Sequence, residues 1–306
     1  MLYHMLLSTG DFAVFRSESN VFNLLVPHFG NLRSAENRKK LMQVWLRSKM
    51  FRVSGLEKEQ IQPKIMAECH TGGDFLRIVM EEMARVQGVS RWAESTPDHL
   101  LHIPEIMEQV PDAIIVHIIR DGRDVTLSYV KQRWARPFPW DRGLELAVAG
   151  LYWEWIVRQG QSRGKKLGPS RYVEVRFEDL VASPAGTLNR LSSFVGQELD
   201  YERIRRSGVG SVGAPNSSFP ETGSGTFNPV GRWKEQMSTQ ELVLLEALTG
   251  GFLKELGYPL VHEEPELSLT AARLRATYLP WFDIKQWLKT KTPLGRRVRL
   301  GPLEIQ

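Results

Sequence analysis

Apolar residues recur along the chain mostly at helical spacing, interrupted by a few short unbroken runs. Residues 34–48, 73–87, 99–109, 144–160 and 184–195 carry them three and four apart, and in 73–87 Phe75, Ile78, Val79 and Met83 share one face. That spacing predicts amphipathic helices. Residues 113–119 are β-branched and almost continuous, follow Pro111-Asp112 and end in Arg120-Asp121-Gly122, as expected of a strand buried on both faces of a parallel sheet. Residues 171–177 read as a second strand, with 91–94 and 12–15 as shorter candidates. Strands alternating with helices predict a doubly wound α/β domain with a central parallel sheet.

The ends and one internal stretch depart from this pattern. Residues 1–7 have helical spacing but no signal-peptide layout, and Ser8-Thr9-Gly10-Asp11 closes them as a turn. Residues 207–231 are rich in Gly, Ser, Pro and Asn, the composition of a functional or disordered loop. A helix follows over 238–256, opened by the capping-box sequence Ser238-Thr239-Gln240-Glu241 and stopped by Gly257. The domain is therefore drawn as 1–261. From 262 to 306 the acidic Glu263-Glu264-Pro265-Glu266, an aromatic and basic segment around Trp281, Phe282 and Trp287, and Arg296-Arg297-Val298-Arg299 read as an appended tail that packs on the domain or on a partner. The same aromatic and basic residues would also suit peripheral contact with a membrane surface.

Composition narrows the function classes. The 306 residues are 42% hydrophobic and 25% charged, a globular balance. One cysteine, Cys69, rules out an internal disulfide and leaves too little thiol for a zinc site. A net charge of +5 suits an anionic small ligand as well as nucleic acid. The basic residues are interspersed with acidic ones and form no aromatic-interleaved stripe, so nucleic acid is not the expected partner. The sequon Asn216-Ser217-Ser218 stands without any other sign of secretion, and a cytoplasmic location is expected.

The chemistry-bearing constellation lies at the end of the first long strand, in Arg120-Asp121-Gly122-Arg123-Asp124-Val125-Thr126-Leu127-Ser128. Ligands of open α/β sheets bind beyond the carboxyl ends of strands. A helix starting at Asp121–Arg123 would aim its free N–H groups there, and Arg120 would add a planar donor fork suited to phosphate. Ser128 falls on the same helix face as Asp121 and Asp124. A structural Arg120–Asp124 ion pair with a packed Ser128 fits the spacing equally well.

Trp92-Ala93-Glu94-Ser95-Thr96-Pro97-Asp98-His99, the Arg120–Ser128 run, Val175-Arg176-Phe177-Glu178-Asp179-Leu180, Asn216-Ser217-Ser218-Phe219 and Pro229-Val230-Gly231-Arg232-Trp233-Lys234 stand in an order that resembles the sulfotransferases that use 3′-phosphoadenosine 5′-phosphosulfate (PAPS), nearest to the bacterial and tyrosylprotein-like branch. The resemblance covers roughly residues 1–258. It implies a three-layer, P-loop-NTPase-like α/β fold and transfer of a sulfuryl group from PAPS to an acceptor hydroxyl or amine, without a metal. By position it makes Arg120 and Ser128 ligands of the 3′-phosphate, and draws Arg232 and Lys234 from a late loop over the nucleotide. Phe177 would lie near the adenine, unless it is simply core. Arg232 and Lys234 also read as a solvated basic turn. Glu18, in Arg16-Ser17-Glu18-Ser19-Asn20, stands where the family's base carboxylate would be, and a helix-capping role suits the same run. His70 and His99 are the next candidates for that proton. Trp92, Trp153, Trp155 and Trp233 read as packing residues.

Two departures from the family pattern stand out. Ser95 occupies a position where many relatives carry Lys, and the Arg/Lys-Ser-Gly-Thr-Thr type of phosphosulfate loop does not precede residues 2–7. Met1 falls where an internal residue of the first helix is expected, so a further strand and phosphate loop of about 10–20 residues are expected upstream of it. On that expectation the first strand and phosphate loop are missing from the fold, and activity of this 306-residue form is doubtful. A non-catalytic relative that binds a nucleotide or a partner is the alternative reading. Acceptors open to the chain are small molecules, carbohydrates, lipids and peptides, with selectivity expected in the loop 129–143.

Overall fold

The structure, a computed structural model, describes residues 1–207, 228–262 and 268–305. The N-terminal third is helical: α1 (Leu2–Leu7), a π turn at Val21–Leu25 running into α2 (Val26–Phe29), then α3 (Ala35–Trp45), α4 (Lys49–Ser54), α5 (Lys58–Glu68) and α6 (Gly72–Gln87). At the start of α6 the Thr71 hydroxyl accepts from the Asp74 N–H and the Asp74 carboxylate accepts from Thr71, a closed capping box. A 3-10 turn, Pro97–His102, leads through α7 (Ile103–Gln109) into β1 (Ile115–Ile119). Then follow α8 (Gly122–Gln132), α9 (Glu145–Gly164), β2 (Tyr172–Arg176), α10 (Phe177–Ala182), α11 (Pro184–Val195), α12 (Tyr201–Ser207), α13 (Trp233–Gln236), α14 (Thr239–Glu255) and α15 (Leu269–Lys291).

β1 and β2 pair in parallel, from Ile115↔Tyr172 to Ile119↔Arg176. The period of two along β1 sends its side chains into different apolar layers. Val116 joins the cluster formed by α1, α10 and α11, whereas Ile119 packs with α9 and α14. α9 lies close on the sheet because Gly160 and Gly164 leave room for rings: a Cβ on Gly160 would stand 2.9 Å from His117, and one on Gly164 2.0 Å from Tyr172. A third cluster, built on Trp45, Phe75 and Phe22, closes the helical N-terminal layer.

The fold departs from the sequence pattern in two places and agrees with it in a third. Residues 12–15 and 91–94 do not form strands. They meet at a single parallel bridge, Phe12↔Arg91, with the Ala13 N–H donating to the Arg91 carbonyl at 2.8 Å. One residue on, the ladder is replaced by the Gln87 side chain, which accepts from the Val14 N–H and donates to its carbonyl. The helix at Lys58–Glu68 carries a proline, Pro63, and only Ile61 and Ile65 as buried residues, too sparse a stripe to stand out in the sequence. The C-terminal segment packs on the domain, one of the two placements expected for it: in α15, Ala271, Leu274, Tyr278 and Phe282 are buried against α9 and α14. The Tyr278 hydroxyl donates to Asp141 at 2.9 Å and accepts from the Phe138 N–H at 2.7 Å, tying the helix to the loop after α8. Trp287, on the opposite side, is exposed. Among the described residues no helix is long and apolar enough to cross a membrane.

Candidate functional site

Arg120 leaves β1 one residue past its end, and Phe177 opens α10 one residue past the end of β2. The register Ile119↔Arg176 therefore sets them side by side, and the Arg120 guanidinium lies 4.8 Å from the centroid of the Phe177 ring. The same guanidinium donates to the Pro229 carbonyl and stands 3.5 Å from the Asp124 carboxylate. The ion pair that the spacing allowed is thus present, as one contact among several.

Asp124 is fully buried and has a further task. Its two oxygens accept the Gly231 N–H at 2.8 Å and the Trp233 N–H at 3.1 Å. Those bonds hold the segment around Arg232 onto α8. Burial, and then the neighbouring positive charge of Arg120, push the Arg232 pKa down against the opposing pull of Asp124. Two guanidiniums crowded beside one carboxylate make a region that favours an anion.

The rest of the Arg120–Ser128 run is mostly framework. Arg123 is buried, bonded through its guanidinium to Asp121 at 2.8 Å and Glu246 at 2.8 Å, and lies over the Trp233 ring at 3.9 Å. Asp121 caps α8 by accepting the Arg123 N–H at 2.9 Å, so part of the helix's N–H set is taken by its own carboxylate. Glu178 accepts the Asp121 N–H and the Tyr258 hydroxyl, each at 2.9 Å, locking α10 to the start of α8. Gly122 is required by close approach, since a Cβ there would meet Trp153 at 2.4 Å. Ser128, one turn beyond Asp124 inside α8, is half-buried. Lys234 is exposed, its ammonium 5.6 Å from the Trp233 ring centroid. Trp153, Trp155 and Trp233 are buried, in keeping with a packing role. Asn216–Phe219 and Glu263–Glu266 lie outside the described residues.

Glu18 belongs to a second group of residues. It is exposed, yet partial desolvation and the nearby carboxylates of Glu94 and Asp98 raise its pKa, against the lowering effect of His99 and Asn20. Glu94 is the hub. It accepts from the Ser19 N–H at 3.0 Å, the Ser19 hydroxyl at 2.8 Å, the Thr96 N–H at 3.1 Å and the Thr96 hydroxyl, and pairs with His99 at 2.8 Å. Burial opposes its charge, but His99 and these donors hold its carboxyl down at about 2. His70 is exposed on the approach to α6, its backbone N–H capped by Asp74, away from this group. Sequence reasoning passed over the organising roles of Glu94, Asp124 and Glu178. Their partners lie up to 109 residues away in the chain, so no local spacing reveals them.

The loop after α8 carries Trp134 and Trp140, which are exposed, while Tyr129 packs against Trp134 and Tyr152.

Residues 1–201 match the family model described as "Sulfotransferase family". The chain is similar to mouse carbohydrate sulfotransferase 5, with 28% identity over 172 residues, which covers 50% of this chain and 43% of that protein. It is also similar to the omega-hydroxy-beta-dihydromenaquinone-9 sulfotransferase Stf3 of Mycobacterium tuberculosis, with 30% identity over 106 residues, covering 33% of this chain and 27% of the relative. The chain thus spans less than half the length of these curated relatives. Among solved structures, the sulfotransferase domain from the curacin biosynthetic pathway superposes with a TM-score of 0.50 at 14% identity, over 85% of this chain and 93% of that one, a likeness of fold. With the model match extending over most of the chain, this protein belongs to the sulfotransferase family.

Proposed function

We propose that this chain transfers a sulfuryl group from PAPS to an acceptor hydroxyl. The observation that carries the reading is the crowding of Arg120 and Arg232 at the end of β1, beside Phe177, with the Arg232 pKa driven down by burial and by its like-charged neighbour. Such a pair is relieved by a dianionic ligand, and the phosphate-bearing donor of the family fits it. Arg120, Arg232 and Ser128 are the groups to hold the 3′-phosphate, Phe177 offers a ring face to the adenine, and Lys234 adds charge at the loop's outer side. When bound, the donor supplies the sulfuryl group. The residues of this chain position and neutralise, which is the main contribution expected of a protein to a transfer with a loose transition state. An acceptor hydroxyl enters at the Glu18–Glu94–His99 group, whose members can take up its hydrogen.

The acceptor is proposed to be a small molecule, a carbohydrate or a lipid, the last two being the classes named for the relatives. The exposed aromatic side chains of the loop after α8, Trp134 and Trp140, suit the flat apolar faces of either. Calorimetry with adenosine 3′,5′-bisphosphate and with 5′-AMP tests the donor side. The bisphosphate should bind at least about tenfold more tightly, and Arg120→Gln should erase that preference, a loss of roughly 1.4 kcal/mol or more. Equal affinity for the two nucleotides in the unaltered protein would refute the assignment.

A further inference from the structure

α15 has a second face that the domain leaves open. Ala271, Leu274, Tyr278 and Phe282 are buried, and on the opposite side of the helix Pro280, Ile284, Trp287 and Lys291 follow at helical spacing. Ile284 is 49% exposed and Trp287 57%. The chain then enters the 3-10 turn Pro293–Arg297, where Leu294 is 45% exposed. That turn is pressed against the helix end and α2. A Cβ on Gly295 would collide with the Lys289 carbonyl and stand 3.0 Å from that of Pro27, and the His28 ring donates to the Val298 carbonyl at 2.9 Å. At the other end of the face, Trp140, 71% exposed, stacks on Phe138 at 4.8 Å. Phe138 in turn packs on Trp281 at 5.3 Å, one helical turn before Ile284. The exposed apolar side chains thus follow one another along α15, and they are rimmed by one sign of charge. Between Asp283 and Glu304 stand Lys285, Lys289, Lys291, Arg296, Arg297 and Arg299, with no acidic residue among them, and all but Lys289 are exposed. Lys291 pairs with Glu105 at 3.2 Å, and Asp283 is taken up by the Trp155 and Gln159 side chains.

We propose that this face, Ile284, Trp287 and Leu294 with Trp140, docks on the surface of a bilayer that contains anionic lipid. Grouped apolar side chains left in water mark a surface that something covers, and the cations around them require that cover to be negatively charged as well as apolar. Nucleic acid would match the cations but offers nothing to Ile284 and Leu294. A second copy of the same face would bring like charges together. An anionic bilayer meets both demands: tryptophan rings settle at the level of the headgroups, the aliphatic side chains reach the acyl boundary, and lysine and arginine meet the lipid phosphates. The helix lies along the surface and does not enter it further, because Tyr278 and Phe282 on its other side are committed to the core. Docking in this orientation brings Trp140, and with it the loop in which acceptor selectivity is expected, against the lipid. An acceptor dissolved in the bilayer would then meet that loop without passing through water. Only this last consequence rests on the sulfotransferase reading; the docking itself stands apart from it.

The test sediments the full chain with vesicles of phosphatidylcholine alone and with vesicles in which about a third of the lipid is phosphatidylglycerol. Binding should be at least about tenfold stronger to the anionic vesicles and should weaken as salt is raised. Lys285→Gln combined with Arg297→Gln removes two exposed cations and should lower the partition coefficient by about 30-fold. Trp287→Ser should lower it by about fivefold or more. All three side chains are exposed, so the urea midpoint should stay that of the unaltered protein. Brominated acyl chains should quench the tryptophan fluorescence of the bound protein, and should quench that of Trp287→Phe less. Failure to sediment with the anionic vesicles, or binding that neither the charge variant nor Trp287→Ser weakens, would overturn the proposal. So would a dimer in sedimentation equilibrium that Trp287→Ser dissociates, because the face would then belong to a second copy of the chain.

Discussion

Asp124 offers the sharpest way to separate the architecture of the donor site from its charge. Replacing it by Asn keeps the shape of the side chain and removes its charge. One amide oxygen can still accept a single backbone N–H, but the amide nitrogen is a donor and would face the second. Either the Gly231 N–H, now bonded at 2.8 Å, or the Trp233 N–H, at 3.1 Å, would lose its partner. A hydrogen bond to a charged acceptor contributes about 1.5–3 kcal/mol, and a buried donor left unpaired costs about 1–3 kcal/mol. Arg120 and Arg232 would at the same time lose the carboxylate that separates their charges.

The two parts of that loss should appear in different measurements. Trp233 stays packed against Arg123, so the segment keeps one attachment and the fold survives. Urea denaturation of Asp124→Asn should show a loss of about 2–3 kcal/mol. A comparable part, about 2–3 kcal/mol, should be lost from binding of adenosine 3′,5′-bisphosphate, because Arg232 is no longer held in place, and this corresponds to roughly 30- to 150-fold in Kd by calorimetry. The reasoning is refuted if the variant is destabilised by that amount yet binds the bisphosphate as tightly as the unaltered protein. The segment would then be held for stability alone.

Further outcomes follow from the same contacts. Gly122→Ala would place a Cβ 2.4 Å from Trp153, and urea denaturation should show a loss of at least about 1–3 kcal/mol; unchanged stability would mean that the start of α8 can move. Tyr278→Phe leaves the Phe138 N–H and Asp141 without the hydroxyl they share, for an expected loss of about 1–3 kcal/mol, and a neutral result would detach α15 from the loop after α8. Burial, and then the charges of His99, Lys289, Arg163 and Lys291, hold the His102 pKa down at about 3, and burial, with a smaller contribution from Lys165 and against the pull of Glu174, lowers His117 to about 4. Both folded-state values lie below the unfolded value near 6.5, so the unfolded chain binds more protons in this range. The stability these groups contribute is therefore complete above about pH 6.5 and is lost as pH falls from there towards 3–4. Between pH 7 and pH 5 each histidine should account for about 2 kcal/mol of lost stability, and His102→Gln should flatten the profile. A profile unchanged by that substitution would show that the ring does not resist protonation.

What could be read from the sequence, and what could not, divides along the range of the interactions. The run at 113–119 announced a strand, formed over Ile115–Ile119, although Ile118 is exposed and the strand is not buried on both faces as its composition suggested, and 184–195 announced a helix because its apolar stripe, the proline at its first position and the glycine after it agree. Arg120 was legible as a ligand-facing residue for the same local reason: a donor fork placed where a strand ends. Its neighbourhood was not. The adjacency of Phe177 depends on the register between β1 and β2, which neither strand encodes alone, and Arg232 reaches the site only because Asp124 captures backbone N–H groups more than a hundred positions later. Glu94 shows the limit most clearly. In the sequence it is one acidic residue in a polar stretch, and in the fold it gathers donors from Ser19, Thr96 and His99, two of them close in the chain and one 75 residues earlier. Buried hydrogen-bond networks of this kind are satisfied across elements, and the residues that organise them carry no periodic signature. The same reasoning explains the C-terminal helix. Pro280 and mixed aromatic and basic residues obscure its apolar stripe, and only the surfaces of α9 and α14 reveal which of its aromatic side chains, Tyr278 and Phe282, belong to the core and which, Trp287, does not.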